Sequence, residues 1–176
     1  MERYIALLRG INVGGKNLLP MKELVSLLQS MGARDVITYI QSGNVVFQSV
    51  IAQRQDWCER LTQNILEVKG FAPQLILLSK TELDRAIEHN PFPIGDGKSL
   101  HFFFLAKEPE QDSLMKLASV KTENEQYLLN EQIFYLYTPD GFGRSKLATR
   151  VEKLLGVHTT ARNWNTIVKL VQLSDA

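Results

Sequence analysis

Residues 36–48, VITYIQSGNVVFQ, decide the fold of this chain. Two runs rich in β-branched and aromatic residues, 36–41 and 44–48, flank the turn signal Ser42-Gly43. Such a pattern predicts a β-hairpin. Helical patterns lie on both sides of it, so the hairpin forms the middle of a larger unit.

On the N-terminal side, the apolar run 4–8 ends at Gly10 and predicts a strand buried on both faces. Pro20 can open a helix, and Gly32 ends its apolar spacing. On the C-terminal side, a helical stripe is formed by Trp57, Leu61, Ile65 and Val68, and the helix ends at Gly70. A strand follows at 74–78. The predicted order is β-α-β-β-α-β.

The same order then repeats. A helix capped by Ser79 and Glu82 ends before Pro91, and a strand follows at 100–105. Further along, the pattern predicts a helix over 110–118 that buries Leu114 and Leu117, and a hairpin of strands 126–129 and 133–138. The last elements are a helix from Ser145 to Gly156, a strand at 157–161, and a helix bearing Trp164, Val168 and Val171.

We therefore predict an α+β fold with two ferredoxin-like (βαββαβ) subdomains in tandem, each followed by a trailing helix. The expected domains are residues 1–90 and 91–176. Residues 4–8 and 101–104 are apolar or aromatic at nearly every position, so both faces of each sheet should be covered. The other half, the trailing helices or a partner chain could provide the cover, and an oligomer is left open.

Composition excludes several classes of protein. The chain has 176 residues, 44% of them hydrophobic, and a net charge of +1. Nucleic-acid binding is disfavoured, because its affinity comes from a basic excess. The single cysteine, Cys58, indicates a reducing, cytoplasmic setting and is expected to be a half-buried helix thiol. The apolar start is too short for a membrane span, so we expect no membrane association.

Two polar loop clusters are the candidate ligand sites. In a plait, the loop after the first strand and the hairpin after the second lie at one end of the sheet. In the second half, the loops after the third and fourth strands lie together, each before a helix whose N–H groups suit anions. The candidate ligand-binding residues are Arg9, Gly10, Asn12, Gly14, Gly15, Lys16, Gln41, Ser42 and Asn44 in the first cluster, and Arg144, Ser145, Lys146, Arg162, Asn163 and Asn165 in the second.

Residues 10–17 nearly match the phosphate-binding P-loop, with Gly10, Gly15 and Lys16 correctly spaced after a strand. However, Asn17 replaces the hydroxyl that would hold magnesium, and the sheet expected here is not parallel. Tight turns and close packing also explain the glycines, just as helix capping explains Ser145 and an asparagine at 163 or 165. Convergence of Arg144 with Arg162 is the feature that favours an anion site in the second cluster.

No catalytic chemistry is indicated by the residues. His89, His101 and His158 lack paired metal-ligand spacing, so no metal site is predicted. No nucleophile motif or general acid–base pair stands out, and the catalytic residues and any cofactor are unknown.

Four segments in order resemble the bacterial family known as domain of unknown function 1697. They are residues 3–17, 38–47, 143–147 and 161–166. The resemblance spans essentially the whole chain and implies two ferredoxin-like subdomains. It implies no established activity and no catalytic residues.

Three functional hypotheses follow from the sequence. The first is a cytoplasmic protein that binds a phosphorylated, nucleotide-like or otherwise anionic small molecule at the two loop clusters. The second is a single-stranded RNA-binding plait that uses the rings of Phe102, Phe104, Tyr135 and Tyr137. The third is a non-catalytic assembly module. Whether the protein is an enzyme is left open.

Overall fold

The computed structural model describes residues 1–110 and 112–176. Its strands are β1 (Glu2–Arg9), β2 (Arg34–Tyr39), β3 (Asn44–Ser49), β4 (Gln74–Ser79), β5 (Leu100–Leu105), β6 (Gln126–Asn130), β7 (Ile133–Tyr137) and β8 (Thr159–Asn163). Its helices are α1 (Met21–Ser30), α2 (Arg54–Lys69), α3 (Lys80–Glu88), α4 (Ser113–Ala118), α5 (Lys146–Leu155) and α6 (Trp164–Asp175), with a 3-10 turn at Phe142–Arg144.

Two four-stranded antiparallel sheets confirm the predicted fold class. Their strand orders are β2-β3-β1-β4 and β6-β7-β5-β8, which is the same order in each half. The first strand of each half is central and pairs antiparallel with a neighbour on both sides. This is the ferredoxin-like arrangement used twice.

The chain divides into two compact units. The first unit comprises Met1–Arg85 with Lys169–Ala176, and the second comprises Ala86–Val168. Arg3 Nη1 donates to the Ser174 carbonyl at 2.8 Å, and Lys80 is ion-paired with Asp175 at 3.1 Å, so the end of the chain belongs with the first sheet. The sequence-based subdomain boundaries, 1–90 and 91–176, remain a proposal.

Each sheet packs helices on one face. In the first unit, Tyr4, Ala6 and Leu8 of β1 contact a core that includes Leu24 and Leu61. In the second, the core includes Phe103 and Leu105 of β5 together with Leu147, Val151 and Leu155 of α5.

The alternate residues of both central strands are buried as well. Ile5 and Leu7 in β1, and Phe102 and Phe104 in β5, are at most 1% exposed. Their burial confirms that both faces are covered, and it does not require a partner chain.

Two helix predictions need correction. Val68 of α2 is 60% exposed, and Leu114 of α4 is 37% exposed, so neither is buried as expected. Val68 lies in the last turn of α2, and α4 has only six residues, so spacing alone does not fix which face of these segments meets the core. The last helix bears Trp164, Val168 and Val171 as predicted, although Ile167 and Leu170 are its fully buried residues.

The hairpin of residues 36–48 has a longer turn than predicted. β2 ends at Tyr39, and Ile40 and Gln41 belong to the turn rather than to the strand. Ile40 has φ +51, a left-handed conformation that β-branched residues rarely adopt. The turn is closed by the Asn44 amide, which donates to the Tyr39 carbonyl at 3.1 Å.

Gly43 is required where the turn of this hairpin packs against the end of β1. Its φ is +81, and a Cβ built on it would lie 2.6 Å from the Leu8 Cβ and 2.9 Å from Ile11 Cδ1. The Leu8 N–H donates to the Gly43 carbonyl at 2.8 Å, so the two backbones cannot separate without losing a hydrogen bond.

We predict that Gly43→Ala lowers the free energy of unfolding by about 3 kcal/mol, because a left-handed backbone and a steric clash both penalise the methyl group. Gly14→Ala is the matched control, since Gly14 also has positive φ but has open space around it. The control should cost only about 1 kcal/mol. Urea unfolding followed by circular dichroism measures both values, and equal losses would show that the close approach at Gly43 is not needed.

Candidate functional site

The loop after β1 folds into a small hairpin of its own. Gly14 and Gly15 form its tip with φ values of +57 and +73. The Lys16 N–H donates to the Val13 carbonyl, and the Asn12 N–H donates to the Asn17 carbonyl, both at 3.0 Å. This geometry matches a two-residue glycine turn of a β-hairpin.

Asn12 ties this loop to the neighbouring hairpin. Its Nδ2 donates to the carbonyls of Leu19 and Gln41, each at 2.9 Å, and its Oδ1 accepts from the Leu19 N–H at 2.8 Å. The structure therefore brings together the two connections that topology placed at one end of the first sheet.

Most polar groups of this first cluster are engaged in holding the loops. Asn17 donates to the Gly10 carbonyl, and the fully buried Asn44 donates to the Ser42 hydroxyl. The Arg9 guanidinium contacts Gln74. Lys16 and Gln41 keep exposed side chains without a hydrogen-bond partner in the part of the chain that the structure describes.

The P-loop resemblance does not extend to the structure. β1 lies in an antiparallel sheet, and α1 begins only at Met21, five positions after Lys16. The loop N–H groups of Asn12 and Lys16 are bonded across the hairpin rather than turned inward around a phosphate.

The second cluster gathers beside the first residues of β5. β7 and β8 both run antiparallel to β5, so both end there. The ring of Phe142, from the loop after β7, stacks on His101 of β5 with centroids 3.6 Å apart. His101 is paired in turn with Asn163 at the end of β8.

Arg162 does not join Arg144 on one face of the sheet. Its neighbour Ala161 packs against the core that α5 covers, so Arg162 points to the opposite face, where it is paired with Phe102. Burial lowers the pKa of Arg162 to about 10, and its Nη1 donates to the Ala161 carbonyl. The convergence of the two arginines expected from the sequence is therefore not observed, because β8 runs on to Asn163 and alternation separates them.

Asn163 and Asn165 have structural partners. Asn163 Oδ1 accepts from the Thr166 N–H at 2.9 Å, which confirms the predicted cap of α6. Asn165 Nδ2 donates to the Asp96 carbonyl at 3.1 Å.

Ser145 and Arg144 stand at the start of α5. The Ser145 hydroxyl accepts from the Ala148 N–H at 2.9 Å, which confirms the predicted N-cap. Arg144 is exposed, and within the described residues its guanidinium makes no hydrogen bond or ion pair. Lys146 is exposed on the first turn of the helix.

A cavity of about 350 Å³, half open to solvent, lies beside this helix start. The residues that line it come from the loop before β6 and the loop after β7, and they are Thr122, Glu123, Asn124, Glu125, Thr138, Asp140, Gly141, Arg144 and Ser145.

Glu125 is the lining residue that the sequence predictions missed. It is only 4% exposed, and its Oε2 accepts from the Thr122 N–H at 2.9 Å. Its other oxygen has no hydrogen-bond partner in the described parts of the chain. The Thr-x-x-Glu spacing of 122–125 was the available signal, because a glutamate three residues after a threonine often reaches back to its N–H.

The cavity contains both signs of charge. Glu123, Glu125 and Asp140 supply carboxylates, and Arg144 supplies the guanidinium. Asn124 Nδ2 donates to Asp140 Oδ2 at 3.1 Å. In the described structure no ion pair joins Arg144 to any of these carboxylates.

His101 lies beneath Phe142 and is 9% exposed. Its Nδ1 is buried without a hydrogen-bond partner among the described residues. Burial lowers the pKa of this imidazole to about 4, so the ring is neutral at physiological pH. A neutral imidazole stacked on Phe142 is better suited to holding the cavity loop in place than to acid–base catalysis.

Other reactive groups offer no competing site. Burial raises the pKa of the half-buried Cys58 thiol to about 11, which removes its nucleophilic character at neutral pH. Across residues 1–110 and 112–176, no three His, Cys, Asp or Glu side chains cluster in a way that could hold a metal ion. None of the described helices combines the length and the hydropathy needed to cross a membrane.

Three of the four rings that would serve an RNA-binding plait are not accessible. Phe102, Phe104 and Tyr135 are at most 1% exposed, and Tyr137 is half-buried. Tyr135 also donates its hydroxyl to the Ala86 carbonyl at 2.7 Å. Base stacking needs exposed ring faces, so this hypothesis loses its structural basis.

Comparison with known proteins agrees with this architecture. A family model described as "Protein of unknown function (DUF1697)" matches residues 1–135. The chain belongs to this family. The matched part of the DUF1697 chain includes Glu125 and ends before Arg144.

The whole DUF1697 chain is similar to a solved structure, that of the conserved bacterial protein SP0830 from Streptococcus pneumoniae. The two are 27% identical with a TM-score of 0.79, and the alignment covers 100% of this chain and 99% of the other. Both units thus have a structural counterpart. Among curated proteins, none matches the chain.

We predict that His101 makes the protein less stable in acid. The unfolded chain takes up a proton at His101 near its ordinary pKa of 6.5, whereas the folded chain does so only near 4. Stability contributed by the neutral ring is therefore lost as pH falls through this window, by about 2 kcal/mol between pH 7.5 and pH 5.

Urea unfolding at the two pH values measures this loss. His101→Phe should reduce the difference by about 2 kcal/mol relative to the wild type. His89→Gln is the control, because His89 is exposed, and it should leave the difference unchanged. An unaltered pH dependence in His101→Phe would show that the ring is not kept neutral by burial.

Proposed function

We propose that this protein binds a small molecule in the cavity of the second unit and holds an anionic group of that molecule with Arg144 and the start of α5. The observation that carries the proposal is the Arg144 guanidinium, which lines the cavity without a protein partner among the described residues. A forked guanidinium of this kind suits phosphate or carboxylate.

The start of α5 supports the same assignment. The Ser145 hydroxyl takes the Ala148 N–H, while the N–H groups of Lys146 and Leu147 lie in the first turn, where a helix has no internal acceptor for them. These groups and the helix dipole favour negative charge beside Arg144. Ser145 itself lines the cavity, so the helix start faces the ligand space.

The first loop cluster supports ligand binding less well. Its asparagine amides hold the loops together, and its exposed donors are chiefly Lys16 and Gln41. In this proposal its glycines and amides shape the end of the first sheet, while the ligand is held by Arg144, Ser145 and Lys146.

Titration with inorganic phosphate and pyrophosphate tests the proposal, with binding measured by calorimetry and by amide shifts in NMR spectra. Arg144→Gln should weaken binding about tenfold or more, because a hydrogen bond to a charged group contributes about 1.5–3 kcal/mol.

Arg150→Gln is the matched control, since it removes the same charge from an exposed position of α5 that does not line the cavity. It should change the affinity less than twofold, in line with the weak effect of exposed charges. Equal weakening in both variants would show that the effect comes from the net charge of the protein and not from the cavity. An absence of binding by the wild type would refute an anion site.

A further inference from the structure

A group of exposed aliphatic side chains lies at the end of the first sheet where β1 and β2 both end. Val13 is 66% exposed, Leu18 is 59% exposed and Ile40 is 52% exposed. Asn12, which precedes Val13, donates to the carbonyls of the residues that follow Leu18 and Ile40 in sequence. The three side chains therefore belong to one surface, which we call the apolar tip.

The fold does not account for the apolar residue at position 40. Ile40 has φ +51, a conformation that glycine and asparagine tolerate and that β-branched residues rarely adopt. Its side chain is more than half exposed, so burial offsets little of this strain. A strained apolar residue without such compensation indicates a role in binding rather than in folding.

The apolar tip projects from the unit and does not form a groove. Residues 13–18 are all exposed, and a Cβ built on Gly14 or Gly15 would meet no atom within 4 Å. Peptides and helices dock in grooves, whereas a projecting apolar surface fits a partner that deforms around it. A lipid surface is a partner of this kind.

Positive charge surrounds the apolar tip. Residues 9–22 and 40–43, which form this end of the sheet, contain Arg9, Lys16 and Lys22 and no acidic residue, so their formal charge is +3. All three cationic side chains are exposed, and neither lysine forms an ion pair within the described residues. Anionic lipid headgroups attract lysine and arginine at such a position.

Two further charge relations favour the lipid surface. Glu23, the next acidic residue along the chain, is ion-paired with Lys69 at 2.9 Å, so it does not neutralise Lys22. Contact between the tips of two copies of the chain would bring like charges together, which disfavours a second copy as the occupant.

We infer that this end of the first sheet docks on an anionic lipid surface, with Val13, Leu18 and Ile40 inserted among the headgroups and Lys16 and Lys22 beside their negative charges. The sequence-based expectation of no membrane association came from the absence of a segment long enough to span a bilayer. Docking on the surface needs no such segment. It also does not depend on the cavity of the second unit.

Flotation of the full chain with lipid vesicles tests the inference. Vesicles of equal parts phosphatidylglycerol and phosphatidylcholine should bind the protein about tenfold more tightly than vesicles of phosphatidylcholine alone. The reason is that each lysine close to an anionic surface raises the partitioning by about fivefold. Added salt should remove the preference, because it screens the charges.

Ile40→Asn separates binding from folding. It should weaken binding to the anionic vesicles by about threefold or more, because an aliphatic side chain no longer leaves water. The stability of the variant in urea should be equal to or higher than that of the wild type, since asparagine fits the left-handed turn. Val50→Asn is the matched control and should leave binding unchanged, because Val50 is 78% exposed and follows β3 at the opposite end of the same sheet.

Lys16→Gln tests the charge and should weaken binding to the anionic vesicles by about fivefold. Arg34→Gln removes an exposed charge where β2 begins, at the opposite end of the sheet, and should change binding by less than about twofold.

Three outcomes would overturn the inference. The first is a wild type that does not float with the anionic vesicles. The second is equal weakening by each variant and its control. The third is a wild-type dimer that Ile40→Asn dissociates in analytical ultracentrifugation while the vesicles are not bound, which would assign the apolar tip to a second copy of the chain.

Discussion

The antiparallel pairing of β5 with β7 on one side and β8 on the other is the constraint on which the candidate site depends. Because both neighbours run against β5, both must end beside its first residues. The Thr138 N–H donates to the Ser99 carbonyl at 2.8 Å and so fixes the point where the chain leaves β7. From there the 3-10 turn, the Ser145 cap and α5 follow within eight residues. The stack of Phe142 on His101 fastens this loop to the sheet.

The consequence is a cavity lined by charges of both signs. Glu125 and Arg144 belong to turns with their own internal hydrogen bonds, and neither side chain neutralises the other. Because no ion pair joins these side chains within the described residues, a ligand does not have to break one before it binds. In the first unit the candidate loops follow β1 and β2 instead, and their asparagine side chains are occupied in holding the loops together.

The architecture could be predicted from the sequence because the hydrophobic periods and turn residues are strong. The strand at 100–105 was located correctly, and the capping pairs Ser79 with Glu82 and Ser145 with Ala148 form as local chemistry requires. Errors arose where tertiary contacts override local preference. Ile40 adopts a left-handed conformation in the turn that the Asn44 hydrogen bond closes. β8 extends to Asn163 although its last residues are polar.

The site was predicted only in part. Arg144, Ser145 and Lys146 could be singled out from helix-capping chemistry, and their place at the start of α5 is as expected. Arg162 could not be excluded from the sequence, because its face depends on the register of β8 against β5. Glu125 was missed for a related reason: its burial is produced by a turn that packs near Thr138, which lies thirteen positions away in sequence.

The most direct test of the proposed anion site is a crystal structure of the full chain soaked with pyrophosphate. We expect electron density for the ligand at Arg144 and the first turn of α5, with a phosphate group on the guanidinium. Absence of ligand density at this place, whether the ligand binds elsewhere or not at all, would contradict the assignment of the cavity.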